Sequence, residues 1–154
     1  MPRQIGTAAL TPVAGWRTME LTARLRALAD VLPLLEAPDA DFGHWELPPP
    51  RDGVGSLGWF EFGPTADVWR AAVAAGHWII TGFDWRTWLA GDGRAFREDP
   101  DAISTATPDQ LAWLLTAIVR SDRFTEGSIA GAFESGLLSG ISRRARDLLQ
   151  ERRA

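Results

Sequence analysis

Cysteine, lysine, tyrosine and asparagine are absent from this chain of 154 residues. Without cysteine there is no disulfide framework, no thiol nucleophile and no thiolate metal site. Without lysine no Schiff base can form and no phosphate loop of the lysine-bearing kind can be built; without tyrosine there is no phenolic acid. Only two histidines are present, His44 and His77, too few for a histidine-rich metal centre. No metal and no cofactor are therefore expected. All 16 basic residues are arginine. Lysine, tyrosine and asparagine share AT-rich codons, so their joint absence points to a GC-rich bacterial genome rather than to a function. Long apolar runs are missing too: nothing approaches the roughly 18 to 20 residues a membrane span requires, and "MPRQIGTAALTPVAGWR" holds no continuous apolar segment of the signal-peptide kind. A cytoplasmic protein without a membrane partner is the expectation. The net charge of −4 gives no general attraction to nucleic acid.

What is present suffices for one folded unit. The chain is 45% hydrophobic and 23% charged, ordinary for a globular domain with a single core. Residues 1–17 mix Pro, Gly and Thr without periodicity and read as an irregular N-terminal arm, with Trp16 as its anchor. Residues 18–154 read as a single helical domain. Leu21, Leu25, Leu28, Leu32 and Leu35 recur at helical spacing and form one stripe, and Pro33 should kink or end that helix just before it. "APDADFGHWELPPPRDGVGSL", residues 37–57, reads as a long loop. His44 and Trp45 lie in it beside Asp41 and Glu46. They read either as an aromatic anchor for the loop or as an acid–base pair or weak metal site.

"GWFEFG", residues 58–63, alternates as a short strand, and "HWII", residues 77–80, is its expected partner. Between them a helix opens at Pro64 with Thr65 as its N-cap and stops at Gly76. Asp84 suits the N-cap of a helix over 82–91, whose Trp85, Trp88 and Leu89 share a face and which Gly91 stops. Asp99 and Pro100 open another turn. Thr107, Pro108 and Gln110 spell a capping box ahead of "LAWLLTAIVRSD". The last third is helical, with Ile129, Phe133, Leu137 and Ile141 every fourth residue. Gly127, Gly131, Gly136 and Gly140 each cost a helix about 1 kcal/mol relative to alanine, so close approach of another helix is expected there. The fold expected is mainly α: a compact bundle of five or six helices with a small two-stranded β-ribbon.

The candidate site is the elbow "IVRSDRFTEGSIAGAFESG". Arg120 and Arg123 bring two guanidinium groups to it, Asp122 can cap the next helix, and Glu126 and Glu134, or Asp84 from elsewhere, can answer the arginines. In the structural reading these pairs lock the elbow and Phe124 plugs it. In the functional reading the same residues hold a small anion or a nucleotide. No catalytic residue is assigned; "FESG" around Ser135 is not the G-x-S-x-G nucleophile elbow. "SRRARDLLQERRA" sets five arginines against Asp147 and Glu151. It reads as a helix end that complements its dipole, or as a nucleic-acid contact, which the acidic balance of the chain opposes.

"FDWRTWL" and "LLTAIVRSDRFTEGSIAGAFESGLLSGISRR" resemble a bacterial, largely actinobacterial family, domain of unknown function 6508, and "DRFTEG…AFESG" is the most specific part of the likeness. The resemblance implies a small, mainly helical, cysteine-poor protein and no mechanism. By subtraction, and because eight Trp leave surplus aromatic surface, the function expected is a non-catalytic binding or protein-interaction module. The alternative is a small enzyme, or pocket, for a nucleotide or phosphorylated metabolite at Arg120, Arg123 and Glu126. A helical nucleic-acid-associated regulator comes third. The expected partner is a protein or a small-molecule anion, and nucleic acid is not expected. Self-association is expected if the leucine stripe exceeds what the core can cover or if Trp45 and Trp59 are exposed.

Overall fold

The leucine stripe does form a helix, but in two pieces. A computed structural model describes residues 20–55 and 57–153; the expected N-terminal arm and Trp16 lie outside them. Helix α1 spans Leu21–Ala29 and α2 spans Leu32–Glu36. The break falls where Pro33 demands it. Pro33 sits in the first turn of α2, where a missing N–H costs nothing because that amide would have no helical partner. Leu25, Leu28, Leu32 and Leu35 are at most 5% exposed, so the stripe is covered by the protein's own core. The long C-terminal helix α8, Leu137–Arg153, lies along α1 and buries Leu138, Ile141, Ala145, Leu148 and Leu149.

The ribbon has a different partner from the one the sequence suggests. Strand β1, Gly43–Glu46, pairs antiparallel with β2, Trp59–Phe62, with Trp45 opposite Phe60 and His44 opposite Glu61. His44 and Trp45 are therefore on a strand rather than in a loop. Residues 77–80 form no strand. His77 takes a left-handed φ of 52°, and the segment then runs through the core with Trp78 and Ile80 buried. Its polar groups go to helices: the Ile80 N–H donates to Thr116 Oγ1 at 3.0 Å, and Trp78 Nε1 donates to the Arg24 carbonyl at 3.1 Å. Arg24 closes this lock. Its Nε donates to the Gly76 carbonyl at 2.9 Å and its guanidinium lies 4.1 Å from the Trp78 ring centroid. Burial lowers its pKa to about 10.

Helix α3, Pro64–Ala75, is capped by Gly63 and not by Thr65; Thr65 Oγ1 instead accepts from the Asp41 N–H at 3.1 Å and ties the approach to β1 onto α3. Gly76 ends the helix as expected. Helices α4, Trp85–Ala90, and α5, Arg94–Glu98, precede a 3-10 helix over Pro100–Thr105. Asp84, Gly91 and Asp99 hold the capping positions expected of them. Trp88 packs among Phe83, Phe96 and Trp113, which fixes α4 against α6, Pro108–Ser121. The capping box of α6 is complete in both directions. Helix α7, Ser128–Glu134, follows the elbow, and the chain breaks again before α8 at Gly136, whose φ is 83°. Eight α-helices among the described residues exceed the five or six expected because the leucine stripe and the last third each divide at Pro33 and Gly136.

Candidate functional site

The elbow between α6 and α7 is held by carboxylates, but against the backbone and not against arginines. Asp122 Oδ1 accepts from the Gly127 N–H at 3.2 Å and the Ile129 N–H at 3.1 Å, so it caps the first turn of α7 across the turn. Glu126 Oε1 accepts from the Phe60 N–H at 3.0 Å. That amide points away from β1, so Glu126 both satisfies the outer edge of β2 and docks the ribbon on the elbow. The expected ion pairs do not form. Arg123 and Glu134 are exposed, Arg120 is half-buried, and among the described residues none of the three makes an ion pair. Phe124 plugs nothing: it is 68% exposed.

The glycines have reasons other than close helix approach. Gly127 holds a φ of 99°, and a Cβ there would stand 2.6 Å from the Trp45 ring. Trp45 packs on that bare backbone from its strand and meets Phe60 edge-on. Phe42 stacks on Phe133 of α7, with ring centroids 4.3 Å apart. At Gly131 a Cβ would meet nothing within 4 Å, and at Gly140 it would reach only the Ile103 side chain at 4.0 Å.

The space at Gly131 belongs to a cavity of about 600 Å³, partly open to solvent and lined by α4, α5, the C-terminal part of α6, the elbow, α7 and the start of α8. Its apolar lining includes Leu89, Leu114, Ile118, Ala132 and Leu137. Trp85 and Phe124 supply aromatic surface, with the Arg86 guanidinium 5.3 Å from the Trp85 centroid and 4.4 Å from that of Phe124. Among the described residues Arg97 is the second cation of the lining, and no Asp or Glu contributes to it. Neither Arg86 nor Arg97 makes an ion pair among the described residues.

The cavity therefore shares the predicted elbow but not its predicted charges. Ser121, Phe124, Thr125, Gly127 and Ser128 line it, whereas Arg120, Asp122, Arg123, Glu126 and Glu134 do not. Asp84 lies outside it and acts on it through position. Its Oδ2 accepts from Thr87 Oγ1 at 2.7 Å and its Oδ1 from the Thr87 N–H at 3.2 Å, which starts α4 and so places Trp85 and Arg86. The Thr87 hydrogen bonds also hold the Asp84 pKa below the usual carboxylate range.

His44 is separate from the cavity. Its Nε2 lies 2.7 Å from Glu46 Oε1 on the exposed face of β1, which raises the His44 pKa. No group of three or more metal-ligating side chains comes together among the described residues. Arginines 86 and 97 escaped the sequence reading because each stands in a helix of at most six residues. The one signal that could have found Arg86 is its place two residues after the Asp84 cap.

A family model described as "Family of unknown function (DUF6508)" matches residues 20–151. No curated protein and no solved structure matches the chain.

Proposed function

The chain belongs to the family of unknown function DUF6508, and from its own geometry we propose that it is a non-catalytic binding module whose cavity takes a small organic anion. One observation carries the reading: two arginines, Arg86 and Arg97, face a cavity to whose lining no carboxylate contributes among the described residues. Guanidinium groups have fixed N–H forks suited to carboxylate and phosphate. Arg86 lies beside two rings, 4.4 Å from the Phe124 centroid and 5.3 Å from that of Trp85, and makes no ion pair among the described residues, which leaves its N–H groups for an anion. About 600 Å³ falls within the range of roughly 300–1,000 Å³ typical of small-molecule pockets. Binding is favoured over catalysis because, among the described residues, the lining holds no His, Asp, Glu, Lys or Cys to serve as a general base. The serines of the lining thus have no activating partner within it. The cysteine-free, lysine-free composition supports a cytoplasmic protein of a GC-rich bacterium; among the described residues no helix is long and apolar enough to cross a membrane.

The test is a fluorescence titration with anilinonaphthalene sulfonate, a flat anion. Saturable binding is expected, weakened about tenfold or more by Arg86→Gln, the scale of one charge-assisted hydrogen bond. Equal binding by the variant, or none by the wild type, would remove the reading.

A second reading rests on the ribbon, where Trp45 and Trp59 are each 46% exposed beside the exposed Leu47, Val54 and Leu57. Trp45 and Trp59 lie on opposite faces of the ribbon, and exposed aromatic side chains suit a protein contact, of which self-association is the simplest form. Sedimentation velocity should then show a dimer growing with concentration; a monomer at every concentration would dismiss it.

A further inference from the structure

Three serines spaced seven residues apart line the cavity: Ser121, Ser128 and Ser135. Each hydroxyl is turned back on its own backbone. Ser121 Oγ donates to the Ile118 carbonyl at 3.0 Å, Ser128 Oγ to the Thr125 carbonyl at 2.9 Å, and Ser135 Oγ to the Ala132 carbonyl at 3.2 Å. A hydroxyl has one hydrogen and two lone pairs. With the hydrogen engaged, each serine presents lone pairs to a ligand, and one of those on Ser135 already accepts from the Leu137 N–H at 3.4 Å. The cavity is thereby divided by chemistry. The α4 and α5 wall offers guanidinium donors, the wall made by α6, the elbow and α7 offers the serine acceptors together with the Thr125 hydroxyl, which can accept or donate, and aromatic and aliphatic side chains complete the lining.

Building on the reading of the cavity as an anion site, we infer that its ligand is a nucleoside monophosphate or a close chemical equivalent. Three demands select it. The arginines require an anion, and phosphate accepts a guanidinium fork. Trp85 and Phe124 suit a flat ring. The serine acceptors require a ligand that also carries donors, which ring N–H groups and sugar hydroxyls supply. A fatty acid or a simple aryl carboxylate meets the first demand, and the aryl acid the second, but neither carries neutral donors. Acceptors that a ligand desolvates without pairing oppose its binding, so the serine wall discriminates against both. Inorganic phosphate meets only the first demand and leaves the apolar surface wet.

Calorimetric titration of the full chain separates these ligands. The panel is the four ribonucleoside monophosphates, adenosine, inorganic phosphate and decanoate. At least one nucleotide is expected to bind about tenfold or more tightly than adenosine, phosphate and decanoate, the scale of one arginine–phosphate contact. Arg86→Gln should remove the preference of nucleotide over nucleoside. Ser128→Ala should weaken the nucleotide while leaving anilinonaphthalene sulfonate unaffected, a readout that a general loss of folding would not give. Tighter binding of decanoate or of phosphate alone would overturn the nucleotide inference while the anion cavity stands. Loss of sulfonate probe binding in both serine and arginine variants, with no nucleotide bound by the wild type, would again overturn only the nucleotide assignment. A wild type that binds neither probe nor nucleotide would overturn both.

Discussion

Arg123 and Glu126 stand three residues apart in one elbow and have opposite consequences for the fold. Arg123 is exposed and without an ion pair among the described residues, while the Glu126 carboxylate reaches across to the Phe60 amide. The sequence offered Glu126, beside Glu134 and Asp84, as a partner for Arg123. It could not show that a backbone N–H on a distant strand competes for the carboxylate, or that an unpaired arginine in water costs nothing. Arg123→Ala should therefore change stability by less than about 0.5 kcal/mol, as surface substitutions away from special contacts do. Glu126→Ala strands a part-buried N–H and should cost about 1–3 kcal/mol. Chemical denaturation of both variants checks the contrast. A large loss at Arg123, or none at Glu126, would restore the salt-bridged elbow.

Elements whose start and stop are chemical were legible. The box of Thr107 and Gln110, the Asp84 cap, and the glycine stops at Gly76 and Gly91 all depend on side chains acting within a few residues, and all stand where the sequence puts them. The ribbon was half legible. "WFEF" shows its alternation, and Phe60 is buried while Trp59 and Glu61 face out. Its partner "GHWE" is only four residues long and is followed by three prolines, so its period is masked. "HWII" looks more like a strand by composition, yet the left-handed φ of His77 turns the chain and the hydroxyl of Thr116 gives its backbone another outlet. The glycines misled for a related reason. A glycine within a helical pattern signals that a side chain is unwanted, without saying whether a neighbour, a turn or an empty space excludes it. Gly127, Gly136 and Gly131 are one instance of each.

At the scale of the whole molecule, one core of α1, α3, α6 and α8 carries the ribbon on one side of the elbow and leaves a cavity on the other. The sequence singled out the elbow, and elbow residues line the cavity; the cations that face it come from α4 and α5, which only tertiary packing brings there. The central claim is that the space at Gly131 exists to hold a ligand rather than to relieve crowding, and a single variant tests it. Gly131 sits inside α7 with no steric neighbour for a Cβ and no left-handed φ. Leucine there gains about 1 kcal/mol of helix propensity. Gly131→Leu should raise the melting temperature of the free protein by roughly 2–5 °C. The same side chain fills the cavity, so its affinity for anilinonaphthalene sulfonate should fall about tenfold or more, on the scale of a contact of roughly 1.4 kcal/mol. The decisive measurement is a thermal melt of this variant with and without the probe. A higher melting temperature that the probe no longer raises is the predicted result. A probe-induced shift as large as that of the wild type would contradict the account.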